Sequence, residues 1–268
     1  MNQEIIDCHC HAGEGDGFNG PWDTRASLDR YLARARRAGI GRTVVFSAFH
    51  SDYQQANRRV AQLVAERPRQ LIGFAFVNPR SDRGRIPALI EGAVTEWGFR
   101  GIKVHQHDGR ITREICEVAR RLRLPILYDV MGETTAIDLV AREYPDIAFI
   151  VPHLGSFGDD YKAQVAIIDL MVRMPNVYAD SSGVRRFDLL EEAVARAGAG
   201  KLLFGSDGPW LHPGVELAKI TALGLSAGDE AAVTGGNLRR LIGEPRTMAP
   251  GIRALRASGI GALRTPQL

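Results

Sequence analysis

Residues 101–129 read GIKVHQHDGRITREICEVARRLRLPILYD. Two short aliphatic runs, 101–105 and 125–129, flank a segment in which Ile115, Val118, Ala119 and Leu122 recur at helical spacing. Most of the chain's aliphatic runs, 125–129 among them, do not alternate apolar with polar, which suits strands covered on both faces. The middle segment reads as a helix with one apolar stripe, N-capped by Thr112 and stopped by Pro125, which cannot continue the backbone ladder. Strand, helix and strand in this order form one βα unit.

The same event recurs along the chain. Further strands are expected at 5–9, 43–47, 71–77, 148–153, 177–180 and 202–205, making eight. Helical patterns fill the gaps, as in Leu189, Leu190, Ala193, Val194 and Ala197, and Pro68, Pro145 and Pro175 each close one. Strict βα alternation leaves an open doubly wound sheet or a closed barrel. No Gly-x-Gly-x-x-Gly follows the first strand, so a dinucleotide-binding sheet lacks its main support. Eight units in about 245 residues predict an α/β fold of the (β/α)8 TIM-barrel type. The expected organisation is one barrel domain, 1–245, with a C-terminal extension, 246–268, rich in arginine.

The chain has 268 residues, 34 Lys plus Arg and 31 Asp plus Glu, for a net charge of +3. That balance argues against nucleic acid as a partner. Charged residues at 24% and hydrophobic residues at 45% exclude a disordered chain. No run approaches the ~18 apolar residues of a membrane span, so no membrane partner is expected. The first residues carry no basic and apolar leader pattern, and three cysteines build no disulfide framework. A cytoplasmic enzyme is the expectation, and a homodimer its default assembly.

Barrel active sites lie at the C-terminal strand ends. There the sequence places His9 and His11, then Lys103, His105 and His107, then Asp129, His153, Asp180 and Asp207. Five of the seven histidines thus share one rim. Side chains two apart on a strand point the same way, so His9 and His11 converge. Asp207, on the last strand, neighbours the first and adds an oxygen. Two His and a carboxylate with an open position form a catalytic metal set. Surface histidines or a Cys/His clip are the alternative. Cys8 and Cys10 have the opposite parity and are expected to face the helices; Cys116 gets no role.

These motifs resemble the amidohydrolase superfamily, specifically the amidohydrolase-related branch that also contains metal-dependent decarboxylases. The matching pieces are Ile6-Asp7-Cys8-His9-Cys10-His11, Gly101-Ile102-Lys103-Val104-His105, Val151-Pro152-His153-Leu154-Gly155 and Leu203-Phe204-Gly205-Ser206-Asp207-Gly208-Pro209. Residues 57–74 and 235–241 agree more loosely, so the similarity spans 5–243. It implies metal ligands at His9, His11 and Asp207, with His153 as acid, base or electrophile. The fifth strand departs from the pattern, because Asp129 stands where the branch presents a histidine ligand. Asp129 binds the metal through oxygen or orients a histidine, or His105 or His107 fills the position. In other amidohydrolases a lysine placed like Lys103 is carboxylated between two metals; in this branch one metal is usual, and Lys103 packs, binds substrate or pairs with Asp129.

The expected cofactor is one divalent metal, zinc before manganese, which brings the pKa of bound water near ~7. Asp207 then takes the water's proton and His153 polarises a carbonyl. The expected reaction is hydrolysis of a lactone, ester or amide of a small carboxylate-bearing substrate. Substrate-binding candidates are Lys103, His107, Arg185 and Trp210, with Arg186 a further anion binder. Phe49, the Gly-rich stretch 14–21 and Trp22 are expected to wall or cover the pocket. A metal-dependent non-oxidative decarboxylase of an aromatic or dienoic acid uses the same motifs. A degenerate, non-catalytic barrel and a nuclease complete the alternatives.

Overall fold

The computed structural model describes residues 4–18 and 25–243. The expectations for Trp22 and for the extension 246–268 lie outside the described residues. Eight barrel strands occur near the expected places. They are β1 (Ile5–Glu14), β2 (Ile40–Ser47), β3 (Leu71–Gly73 and Ala75–Phe76), β4 (Ile102–His105), β5 (Ile126–Asp129), β6 (Phe149–Val151), β7 (Val177–Asp180) and β8 (Leu202–Leu203). All pair in parallel with their neighbours.

Two regions complete the cylinder. At Phe74 the third strand changes partners: Phe74 N–H donates to Val45 O of β2 at 3.0 Å, and Ala75 N–H to Gly101 O at 2.9 Å. Beyond β8, Cys8 N–H donates to Phe204 O at 3.0 Å and His11 N–H to Gly208 O at 2.6 Å, tying β1 to the last strand. The fold is therefore an α/β TIM barrel. Its strands are buried on both faces. Ile126, Tyr128, Phe149 and Val151 pack outward in one apolar cluster. Leu127 and Ile150 fill the barrel with Ile6, Phe46, Phe74, Phe76 and Leu203.

The helices that cover the strands begin and end for local reasons. The helix over 101–129 is α4 (Arg113–Leu122); Thr112 occupies its N-cap position but makes no side-chain cap bond. Arg123, left-handed at φ 53°, ends α4, with Leu124 N–H returning to Ala119 O, so the stop precedes Pro125. Buried amides staple the connections where backbone groups lack ladder partners. Asn57 both donates to and accepts from Phe76, and Asn176 donates to Ala141, Tyr144 and Ile147 carbonyls. Arg100 grips the Ile242 and Gly243 carbonyls at the end of the last described helix, Asn237–Ile242.

Strand β1 carries a bulge. Asp7 pairs with Thr43 and Cys10 with Val45, so three steps on β1 face two on β2. The extra residue resets the side-chain alternation. Asp7 points outward to the Tyr31 hydroxyl at 2.6 Å, while Cys8 joins the inner cluster and Cys10 the outer one. The parity expectation therefore holds for Cys10 and fails for Cys8. Asp7 Oδ1 accepts from His9 N–H and Ser206 N–H, both at 2.9 Å, which satisfies the backbone at the bulge and pins it to the last strand.

Candidate active site

The bulge brings His9 and His11 to the mouth of the barrel above Phe46, with ring centroids 5.3 and 4.7 Å from it. His9 Nδ1 donates to Asp180 Oδ2 at 2.9 Å, and His11 Nδ1 donates to the Ser47 carbonyl at 3.0 Å. Each ring therefore keeps its proton on Nδ1 and turns the Nε2 lone pair inward. Both lone pairs meet Asp207 Oδ1, at 3.4 Å from His9 and 3.7 Å from His11. Burial, then Lys103, pushes the His9 pKa down to about 4, and burial pushes His11 well below its ordinary value. Burial pushes Asp207 up to about 7.

With Asp207 ionised, three acceptors thus face one another, with no donor between them among the described residues. Among the described residues these are the side chains whose His, Cys or carboxylate atoms gather as a group of three within 4.8 Å. Zinc bonds of ~2.0–2.2 Å at tetrahedral angles set neighbouring ligand atoms roughly 3.3–3.6 Å apart, so the spacing fits one divalent cation.

The other side of the mouth is arranged differently. The register sets His105 opposite Asp129. His105 Nδ1 accepts from the backbone N–H of His107 at 3.1 Å, so its proton sits on Nε2, directed at Asp129 Oδ2 3.2 Å away. His153 Nδ1 donates to the Ser182 carbonyl at 2.7 Å, and its Nε2 lies 3.5 Å from the same Asp129 oxygen. Burial opposes charge here, but Asp129 outweighs it, with Asp207 and Asp180 behind, and His153 is pushed up to about 9. Burial likewise opposes ionisation of Asp129, yet His105 and then His153 hold it well below the ordinary carboxylate range.

Backbone strain concentrates here. Among the described non-glycine residues with positive φ, Met131, His153, Leu154 and Asp207 all border the site, and Arg123 ends a helix. Each such residue costs about 1–3 kcal/mol, held by its surroundings. Met131 N–H donates to Asp129 Oδ1 at 3.0 Å.

The remaining candidates divide. Lys103 is fully buried; its Nζ has no hydrogen-bond partner among the described residues and lies 4.9 Å from the centre of the Phe46 ring. Leu127 lies opposite Lys103 in the register, and among the described residues Lys103 makes no hydrogen bond to Asp129. Trp210 packs tilted at 44° against His11 with ring centroids 4.5 Å apart, and Phe49 stacks on the same ring at 5.9 Å. Phe157 packs edge-on to His153 at 5.1 Å. His107 reaches the site through its backbone N–H. Arg185 stays on the surface, 72% exposed and paired with Asp159, and Arg186 pairs with Asp188. Asp180, Ser182 and Gln164 organise the site without having been singled out for a role. The one signal in the sequence was the position of Asp180 at a strand end.

A TIM barrel with a possible two-histidine, one-aspartate cation site at its mouth defines the class. The chain belongs to the Amidohydrolase family (Amidohydro_2), whose model matches residues 6–243. No curated protein matches it. Solved structures share the fold at low identity. The 5-carboxyvanillate decarboxylase of Sphingomonas paucimobilis is 14% identical, with a TM-score of 0.70 over 90% of this chain and 99% of that one. A dihydroxybenzoic acid decarboxylase from Polaromonas sp. JS666, with bound manganese and the inhibitor 2-nitroresorcinol, is 19% identical, with a TM-score of 0.63 over 90% and 97%. A Pseudomonas putida protein provisionally assigned as a 2-pyrone-4,6-dicarboxylic acid hydrolase is 20% identical, with a TM-score of 0.69 over 90% and 98%. No helix among the described residues is long and apolar enough to cross a membrane.

Proposed function

We propose that the chain is a metal-dependent hydrolase that cleaves a lactone, ester or amide of a small carboxylate-bearing substrate. The observation that carries this reading is the convergence of two imidazole lone pairs and a carboxylate oxygen at His9, His11 and Asp207. These three residues would hold the cation, and the borderline-soft set of two nitrogens and an oxygen suits zinc, with manganese second. When bound, a divalent ion supplies Lewis-acid polarisation and an acidified water.

The chain's own groups supply the rest. Asp207 takes the nucleophile's proton at a carboxylate oxygen and passes it to the leaving group. His153, anchored by Asp129 and the Ser182 carbonyl, presents a cationic donor to the oxygen on which charge develops. We place Asp129 and His105 beside the ligand set, Asp129 holding His153 and His105 holding Asp129. Lys103 sets a positive charge beneath the centre for an anionic substrate, and Trp210 and Phe49 wall the pocket against water.

A protonated His153 equally suits delivery of a proton to carbon, which favours non-oxidative decarboxylation as the second reading. Loading the protein with zinc or manganese and screening both substrate classes separates them. Acid release from lactones or esters, abolished by chelation, is expected. Carbon dioxide release from aromatic or dienoic acids instead selects the decarboxylase. Failure to take up a divalent ion at micromolar zinc overturns both.

A further inference from the structure

Asp180 ends β7 and is fully buried. Both of its oxygens are in use. Oδ2 accepts from His9 Nδ1 at 2.9 Å. Oδ1 accepts from three donors: the Ser182 N–H at 2.9 Å, the Ser182 hydroxyl at 2.5 Å and the His153 N–H at 3.2 Å. The Ser182 carbonyl in turn takes the proton of His153 Nδ1. One carboxylate therefore touches a proposed metal ligand and the backbone of the proposed proton donor.

The surroundings keep this junction in place. Gly205, just beyond β8, lets the two partners meet: a Cβ there would lie 2.9 Å from Asp180 Cγ and 3.1 Å from His9 Cβ. Helix α8 (Pro213–Ala222) clamps the turn after β7 from outside. Its Glu216 accepts from Gly183 N–H at 2.9 Å, and its Lys219 donates to the Ser181 and Val184 carbonyls at 3.1 and 3.0 Å. Helix α6 (Tyr161–Arg173) holds the left-handed turn at His153, because Gln164 Nε2 donates to the carbonyls of His153, Ser156 and Gly158.

We propose that Asp180 is a positioning residue that holds the Nδ1 protons of His9 and His153 in place together, so that one buried carboxylate sets both the metal grip and the proton donor. This deepens the proposed function and rests on it for the roles of the two histidines. A carboxylate behind a metal-binding imidazole fixes its tautomer and raises its basicity. Here the same group also fixes the backbone from which the second imidazole projects.

The test uses the metal-free and zinc-titrated full chain and needs no substrate. Long-range proton–nitrogen spectra of ¹⁵N-histidine protein report each ring's tautomer. In the parent chain His9 and His11 are expected as Nδ1–H tautomers and His153 with its Nδ1 protonated. Asp180→Ala is expected to disturb His9 and His153 together while His11, held by the Ser47 carbonyl, keeps its tautomer. Zinc affinity, measured by competition with a chromophoric chelator, falls about 10–100-fold. If Asp180→Ala does not fold, Ser182→Ala carries the same comparison, because it removes the hydroxyl that bonds Asp180 and lies 3.3 Å from His9 Nδ1 and 3.0 Å from His153 Nδ1. Unchanged His9 and His153 ring-nitrogen signals, a change in one alone, or zinc affinity within about twofold of the parent overturns the proposal. A parent chain that binds no zinc overturns the proposed function instead, and the tautomer spectra then decide the coupling alone.

Discussion

On one side of the barrel mouth His9, His11 and Asp207 turn three acceptors toward one another. On the other, the His105 N–H meets the Asp129 carboxylate, and His153 faces the same oxygen with a raised affinity for its proton. Both sides are buried and both are built from histidine and aspartate. They differ in where each imidazole keeps its proton, and that is decided by the group behind the ring. A carboxylate and a carbonyl behind His9 and His11 push their lone pairs inward, whereas a backbone N–H behind His105 pushes its proton inward. A cation or a proton on Asp207 relieves the first side, and the second relieves itself. We read Asp129, where the resembled branch has a histidine, as a change of role: an ionised carboxylate there raises the affinity of His153 for its proton.

Removing the shared acceptor of the first side gives the largest expected effect. In Asp207→Asn the base is lost while an amide oxygen remains, so kcat should fall about 10²–10⁴-fold. Turnover measured beside metal content checks this, and near-native kcat would show that Asp207 is not the base. Asp129→Ala probes the second side. It leaves His105 and His153 without their common carboxylate in a buried site, so stability should fall by about 3–5 kcal/mol. Denaturant unfolding reads the loss, and bound zinc is expected to stay near one ion per chain. Loss of the ion would instead place Asp129 among the ligands and erase the contrast between the two sides.

What the sequence disclosed and what it hid follow from the range of the interactions. Strands such as 126–129 and the rim they feed were legible because apolar runs and proline stops act within a few residues. His9, His11 and Asp207 were legible because a closed barrel makes its first and last strands neighbours. The bulge was not: it depends on Asp7 reaching both His9 and Ser206, a contact across 199 residues. The parity rule therefore misplaced Cys8. The pairing of His105 with Asp129 needed the strand register, and sequence alone also offered Lys103 as a partner for Asp129. The roles of Asp180 and Gln164 lie in bonds to backbone groups 27 and 11 residues away at His153, which no local pattern marks.

The smallest effect is expected at His107, and it separates two ways of building the second side. Its backbone N–H gives His105 its tautomer, and its ring packs edge-on to Phe49 at 5.8 Å. Any residue with a backbone N–H supplies the first contact, so His107→Ala should leave the His105 proton on Nε2 and the grip on Asp129 intact. The expected change in unfolding free energy is about 0.5 kcal/mol or less, as for a partly exposed side chain outside the core. If the imidazole binds substrate, KM rises in this variant while kcat and the histidine spectra hold. If the ring instead steers the backbone at His105, the tautomer moves and kcat falls with it. The two outcomes differ in kind, so the faint perturbation still tells whether the donor–acceptor chain on this side is made by main chain or by side chain.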